Sequence, residues 1–294
     1  MKIAVFFLCA LPGPFLLAQE DLLSLLGQQG EQQTDYATAS FKTNRVVNLH
    51  SLESTASGVF DFKISHRFGF LNGGVYEFFG LDNASIRIGG DFGVSDRLTV
   101  GVGRNSYDKA YDGFVKYKFL RQSTGKRNMP LTGAVLASCA INTVKWANPD
   151  RINYFSSRLN YLFQLILGRK FSESLTLQLS PTLVHRNLVR TRQEKNDVFA
   201  LGGAGRIKLT RRIAVNAEYI YVLPGQLAPG YRNSISIGFD VETGGHVFQL
   251  HFTNSTSMVG HGYVAETVGD WLKGGVHFGF NISRVFTVRR RLKK

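Results

Sequence analysis

His251-Phe252-Thr253-Asn254 is the segment whose residue types could do covalent chemistry. A nucleophilic hydroxyl needs a base within hydrogen-bond reach and a third group to orient that base. In an extended chain His251 and Thr253 point to the same side, and Glu266, thirteen residues beyond Thr253, is the candidate orienting carboxylate. Threonine suits the role poorly, because its extra methyl crowds the attacking oxygen. A His and a Thr that merely line a strand explain the pair better, since so short a motif does not transfer between proteins.

Metal chemistry has less to work with. The seven histidines (His50, His66, His185, His246, His251, His261 and His277) are dispersed, and only His246, His251 and His261 cluster loosely. No spacing resembles a zinc motif, so neither a metal nor a cofactor is expected. Gly89-Gly90 and the glycine-rich run at 201–205 sit inside strand-like segments with no helix following. They read as bends or close approaches in a curved sheet rather than as phosphate loops.

The elements that must position these residues follow from composition and period. The chain has 294 residues, 44% hydrophobic and 12% aromatic, enough for a sizeable core and against disorder. A mean hydropathy of -0.07 excludes a polytopic helical membrane protein, and past the first 18 residues no run approaches the ~18 to 20 apolar residues of a spanning helix. Residues 1–18 read as a secretory signal cut after Ala18: a positive Met1-Lys2 start, an apolar run, then polar Gln19-Glu20-Asp21. Removing Lys2 takes the formal charge from +14 to +13 and leaves Cys139 with no partner for an internal disulfide.

Beyond residue 35 apolar residues recur at every second position. Phe60, Phe62, Ile64 and Phe68 face one way, while Asp61, Lys63, Ser65 and Arg67 face the other. The same alternation runs through 84–92, 98–103, 111–119, 159–167, 175–186, 215–221, 235–242 and 276–288, with noisier stretches at 131–142 and 198–209. Period two with one greasy and one polar side marks β-strands. Most of these segments run about 9 to 13 residues, longer than the usual ~5 to 6 and suited to the ~9 to 11 of a tilted membrane strand. Aromatics near segment ends (Tyr111, Phe119, Phe163, Tyr219, Tyr221, Phe286) supply an interfacial girdle. Full charges in mid-strand would be intolerable in a dry sandwich core. The expected fold is all-β, a transmembrane antiparallel up-and-down barrel.

Short connections alternate with long ones, as periplasmic turns alternate with extracellular loops. The count gives twelve strands within residues 58–288, both chain ends periplasmic, and a basic tail at 289–294. Residues 19–57 form a periplasmic N-terminal segment. Within it, Ser40 to Asn48 also looks extended, which leaves three readings: a lumen plug, a periplasmic arm, or part of a fourteen-strand count.

The stretches FDFKISHRFG from Phe60, FFGLDNASIRIG from Phe78, DRLTVGVGR from Asp96, YDGFVKYKFLRQSTG from Tyr111, PTLVHRNLV from Pro181, ETGGHVFQLHFTNS from Glu242 and GDWLKGGVHFGFNISRVF from Gly269 resemble a family of outer-membrane β-barrels of unknown function in Bacteroidetes-type Gram-negative bacteria. The resemblance spans about 41–286 and implies an outer-membrane barrel but no activity. Barrel phospholipases and lipid A deacylases carry a His-x-Ser-Asn pattern; here Thr253 stands in place of the serine. On the strand parity His251 and Thr253 also face the lumen, away from lipid, so no enzymatic activity is expected.

The lumen parity collects nine cations, namely Lys63, Arg67, Arg87, Lys116, Lys118, Arg158, Arg186, Arg206 and Lys208. Six acids share that side: Asp61, Asp91, Asp112, Glu218, Asp240 and Glu242. Interspersed opposite charges favour an internal salt-bridge lattice, and the cation excess also suits an anion-favouring pore. Nucleic acid is disfavoured, because the charges are spread over strands with no recognition helix. The leading expectation is passage or binding of a small polar or anionic solute. The alternative is a blocked structural or partner-binding barrel acting through its extracellular loops, above all 255–274 with Trp271. A lipid-modifying hydrolase using His251 and Thr253 comes third. The expected partners are outer-membrane lipid and that solute.

Overall fold

The computed structural model describes residues 33–289; the expected signal segment 1–18 and most of the basic tail lie outside them. Twelve antiparallel strands close into one barrel. They are β1 Val59–Phe70, β2 Ala84–Gly93, β3 Leu98–Asn105, β4 Tyr111–Leu120, β5 Thr132–Ile141 and β6 Leu159–Lys170, followed by β7 Leu175–Arg186, β8 Asp197–Lys208, β9 Ile213–Val222, β10 Ser234–Thr243, β11 His246–Thr253 and β12 His277–Thr287. Every strand pairs with its sequence neighbours, and β12 closes the ring on β1 through pairs such as Asn281 with Ser65 and Phe286 with Phe60. Closure leaves no open edge, the condition for a sheet in lipid, where exposed backbone N–H and C=O groups have no water to bond.

The fourteen-strand count fails. The extended-looking residues 40–48 join no wall strand, because their backbone groups bond to lumen side chains instead. Two further short strands among the described residues, Thr34–Tyr36 and Ser123–Gly125, pair with each other and with no strand of the wall.

The outer face matches the alternation. Tyr111, Phe119, Phe163, Tyr219, Tyr221 and Phe286 are exposed on it, among a band of Leu, Val and Ile. The inner face departs from the expectation of an ionic lumen. It is ionic on β1 and β2, which carry Asp61, Lys63, Arg67, Arg87 and Asp91, all buried. On β5 to β9 it is mixed: Leu136, Leu162, Ile166, Val184, Val198 and Ile220 point inward and are buried, beside buried Gln164, Gln178, Thr182, Arg206 and Glu218. A water-filled pore would not bury such apolar residues. They form one core with Phe41, Val46, Leu49 and Leu52 of the N-terminal segment and with Tyr263 and Val264 of the β11–β12 connection. That connection contains a short helix, α1 (Gly260–Ala265), packed against β5, β6, β7 and β9. The barrel is therefore filled by its own chain from both ends.

Gly202 marks how close the filling comes to the wall: a Cβ there would lie 2.9 Å from Leu49 Cδ1. The glycine-rich stretch of β8 thus makes room for the inserted segment.

The lipid-facing assignment predicts a depth-dependent penalty for charge. Leu179, 56% exposed near the middle of β7, should cost about 2 to 4 kcal/mol when changed to Arg, read as reversible unfolding in lipid vesicles. A change near zero would mean that this face does not contact acyl chains.

Candidate functional site

The site is the filled lumen, and its centre is a turn of the inserted segment. Arg45 and His50 form an isolated antiparallel bridge, and the Val46 N–H donates to the Leu49 carbonyl at 2.8 Å. The turn leaves three consecutive N–H groups pointing outward. Those of Val47, Asn48 and Leu49 all donate to the Glu218 carboxylate of β9, at 3.2, 2.8 and 3.0 Å. A buried carboxylate needs such donors, because an unpaired one would be far too costly. Glu218 and the turn are complementary, and each would be unsatisfied alone.

Arg67 of β1 holds the other side of the turn. One terminal nitrogen donates to the Asn48 side-chain oxygen, and the other to the Ser255 and Ser257 carbonyls, both at 2.6 Å. One guanidinium therefore joins the plug, inserted from the periplasmic end, to the lid, the connection folded in from the extracellular end. Further wall side chains grip the plug backbone. Gln249 donates to the Val46 carbonyl at 2.6 Å, and Gln178 to the His50 carbonyl at 2.8 Å. Lys116 reaches the Ser51 carbonyl at 3.3 Å and also the Glu53 carbonyl. Arg206 donates to the Ala39 and Ser40 carbonyls at 3.3 and 3.5 Å.

The remaining lumen charges fall into pairs. Lys63 bridges Asp91 at 2.5 Å and Asp61 at 3.3 Å, while Asn44 of the plug donates to the same Asp91 at 3.2 Å. Arg87 meets Asp112 in a two-point contact of 2.8 and 2.5 Å, the geometry that makes Arg–carboxylate pairs strong. Asp240 accepts from Gln249 at 2.7 Å, and Glu242 pairs with Lys42 of the plug. Lys118 and Lys208 are half-buried at the periplasmic ends of β4 and β8. The charges thus make several local pairs joined through the plug, not one continuous lattice.

Arg158 does not belong to the lumen. It ends a 3₁₀ turn before β6, donates to the Asn142 and Val144 carbonyls at 2.8 and 2.7 Å, and lies 4.0 Å over the Trp146 ring. The alternation carries the polar side one residue beyond the strand, since β6 begins at Leu159.

His251, Thr253 and Glu266 are not brought together as a catalytic unit. The Thr253 oxygen accepts from Ser236 Oγ at 2.8 Å and from Asn48 Nδ2 at 3.5 Å. His251 is fully buried opposite Gly279, and neither ring nitrogen has a hydrogen-bond partner among the described residues. Glu266 turns away to the extracellular mouth, where Arg186 Nη1 lies 3.0 Å from it and 2.7 Å from Glu194.

That mouth gathers residues the spacing did not connect. Asp108, in the β3–β4 connection, joins His261 and Glu266, with ligand atoms all within 4.8 Å of one another. Arg190 reaches across from the β7–β8 loop, 3.4 Å from both Asp108 and Glu266. Burial pushes the Asp108 carboxyl above its ordinary range, and Glu266 adds to the push; burial also lowers the His261 imidazole. The only signal for this cluster was tertiary, since Asp108 is more than a hundred residues from its partners.

Residues 41–286 match the family described as "Membrane bound beta barrel domain (DUF5777)". No curated protein sequence matches the chain. Among solved structures the barrel is similar to the NanC porin, with 9% identity over 78% of this chain and 98% of that one, at a TM-score of 0.47. It is similar to the KdgM porin at 10% identity over 78% and 99%, TM-score 0.46. A third is the outer membrane protein Omp33 of Acinetobacter baumannii, at 9% identity over 77% and 97%, TM-score 0.41. The match covers nearly all of the barrel and the plug: the chain belongs to this family of membrane-bound β-barrel domains, and the protein is a barrel of the outer membrane.

Proposed function

We propose that the barrel is a plugged conduit for a small polar or anionic solute, shut at rest and opened when the plug withdraws toward the periplasm. One observation carries the reading: Lys116 and Arg206 have backbone carbonyls of the plug as their partners, rather than wall carboxylates. The plug thus covers cations that its departure would bare to the lumen, and bared Lys and Arg favour anions. Lys63 and Arg87 would keep their wall carboxylates. At rest the lumen near Arg45 and Lys63 holds voids of about 30 and 20 Å³, room for single waters.

A second reading, a permanently blocked barrel acting through its extracellular surface, is favoured by the apolar contacts. Phe41, Leu49 and Leu52 are buried against β4 to β9, each worth about 2 kcal/mol. Together these imply roughly one spontaneous opening in ten thousand, so passage would require a partner or an applied force. The proposal includes no catalytic step.

Three measurements test this. In planar bilayers the intact protein should give no steady current, and deletion of residues 37–56 should give an anion-selective one. A folded deletion variant that is silent or cation-selective would favour the blocked barrel. Changing Glu218 to Ala removes the acceptor of three N–H groups and should loosen the plug by about 3 to 5 kcal/mol. The readout is maleimide labelling of a Leu49→Cys probe in a Cys139→Ser background. Labelling as slow as in the parent would show that Glu218 does not hold the turn. Thr253→Ala should leave phospholipid hydrolysis at background, and loss of a measurable activity in that variant would contradict the proposal.

A further inference from the structure

Three side chains from separate places in the sequence converge at the extracellular mouth with no wall strand holding them. Asp108 lies in the short turn Tyr107–Lys109, His261 on α1, and Glu266 directly after it. Their ligand atoms lie within 4.8 Å of one another. His261 is only 5% exposed, and its Nδ1 has no hydrogen-bond partner. A buried nitrogen left without a partner is costly, a penalty that a ligand bound at that nitrogen would remove. His261 and Glu266 also line a cavity of about 210 Å³ beside Trp146 and Arg190.

We propose that Asp108, His261 and Glu266 bind a first-row divalent cation of the zinc class. One imidazole with two carboxylates suits a borderline cation, whereas calcium and magnesium take all-oxygen shells. Three protein ligands leave a position for water, as in open zinc sites. Metal–ligand distances of ~2.0 to 2.2 Å would draw the donors to roughly 3.3 Å apart. That closure falls on connections rather than on the hydrogen-bonded wall.

Arg190 is the competitor. Its Nη2 lies 3.4 Å from both Asp108 and Glu266, and its side chain is half-exposed, so it can swing out as the cation enters. Arg186 remains on Glu194 at 2.7 Å and continues to orient Glu266. The bound ion would fasten the lid to the β3–β4 connection, a strap across the mouth that does not depend on whether the plug ever leaves.

Titration calorimetry of the full chain, without a histidine tag and in detergent, with zinc chloride tests the site. The expected result is one site, weakened about tenfold or more by His261→Ala and by Asp108→Asn. Arg190→Gln should tighten binding several-fold, because it removes a rival for the same oxygens, and it leaves every ligand in place should the other variants fold poorly. No zinc uptake by the parent at millimolar metal would overturn the proposal. So would unchanged affinity in the ligand variants, or Arg190→Gln binding no more tightly than the parent.

Discussion

The Glu218 carboxylate sits on the lumen side of β9, sealed from water, and must find donors there. It finds them in three successive amides of the 47–49 turn. An ionised group in that position could not persist with the lumen emptied of both water and plug, and the turn's amides would be equally stranded without it. This mutual requirement fixes how far the N-terminal segment enters and which residues meet each strand. Once the turn is seated, Arg67 has the Asn48 oxygen on one side and the lid carbonyls on the other. Plug and lid then share one guanidinium.

Two chemistries hold the filling. Hydrogen bonds reach it from all round the ring: Asp91, Ser236 and Gln249 on one side, and Lys116, Gln178, Arg206 and Glu218 on the other. Apolar contacts are concentrated beside β4 to β9, where Phe41, Leu49 and Leu52 join a core that continues into Tyr263. The hydrogen bonds fix register, because each has one geometry. The apolar contacts supply most of the holding energy, since area buried from water counts more than net hydrogen bonding. A solute path through such a barrel requires both to be given up together.

The wall was legible in the sequence because lipid imposes one rule on it. Alternate residues must be apolar over about ten positions, and the turns must alternate in length. Twelve strands followed from that rule. The filling was legible only as one of three readings of residues 40–48, a lumen plug, because no period governs it. Residues 40–48 adopt the shape that Glu218, Gln249 and Arg67 dictate, and SFKTNRVVN shows no pattern of its own. A hint was present in β6, where Leu162 and Ile166 put large apolar residues on the inner side as well as the outer. Apolar residues on both parities mean burial on both faces, hence a core inside. Similarly, Glu266 was sought as a partner for His251, yet it lies with Arg186, because the lid folds inward and carries it to the mouth.

The turn at 46–49 is seated inside the barrel, with Val47 beside β10. A Cβ on residue 238 would lie 3.1 Å from Val47 Cγ2, so a sulfur in place of that methyl would stand within bonding reach of a sulfur on residue 238. The direct measurement is mild oxidation of a Val47→Cys, Gly238→Cys double variant, with Cys139→Ser, in outer-membrane vesicles. The account predicts a rapid intramolecular disulfide, seen as altered migration of the unreduced, denatured chain. Two free thiols that both react with a water-soluble maleimide would contradict it.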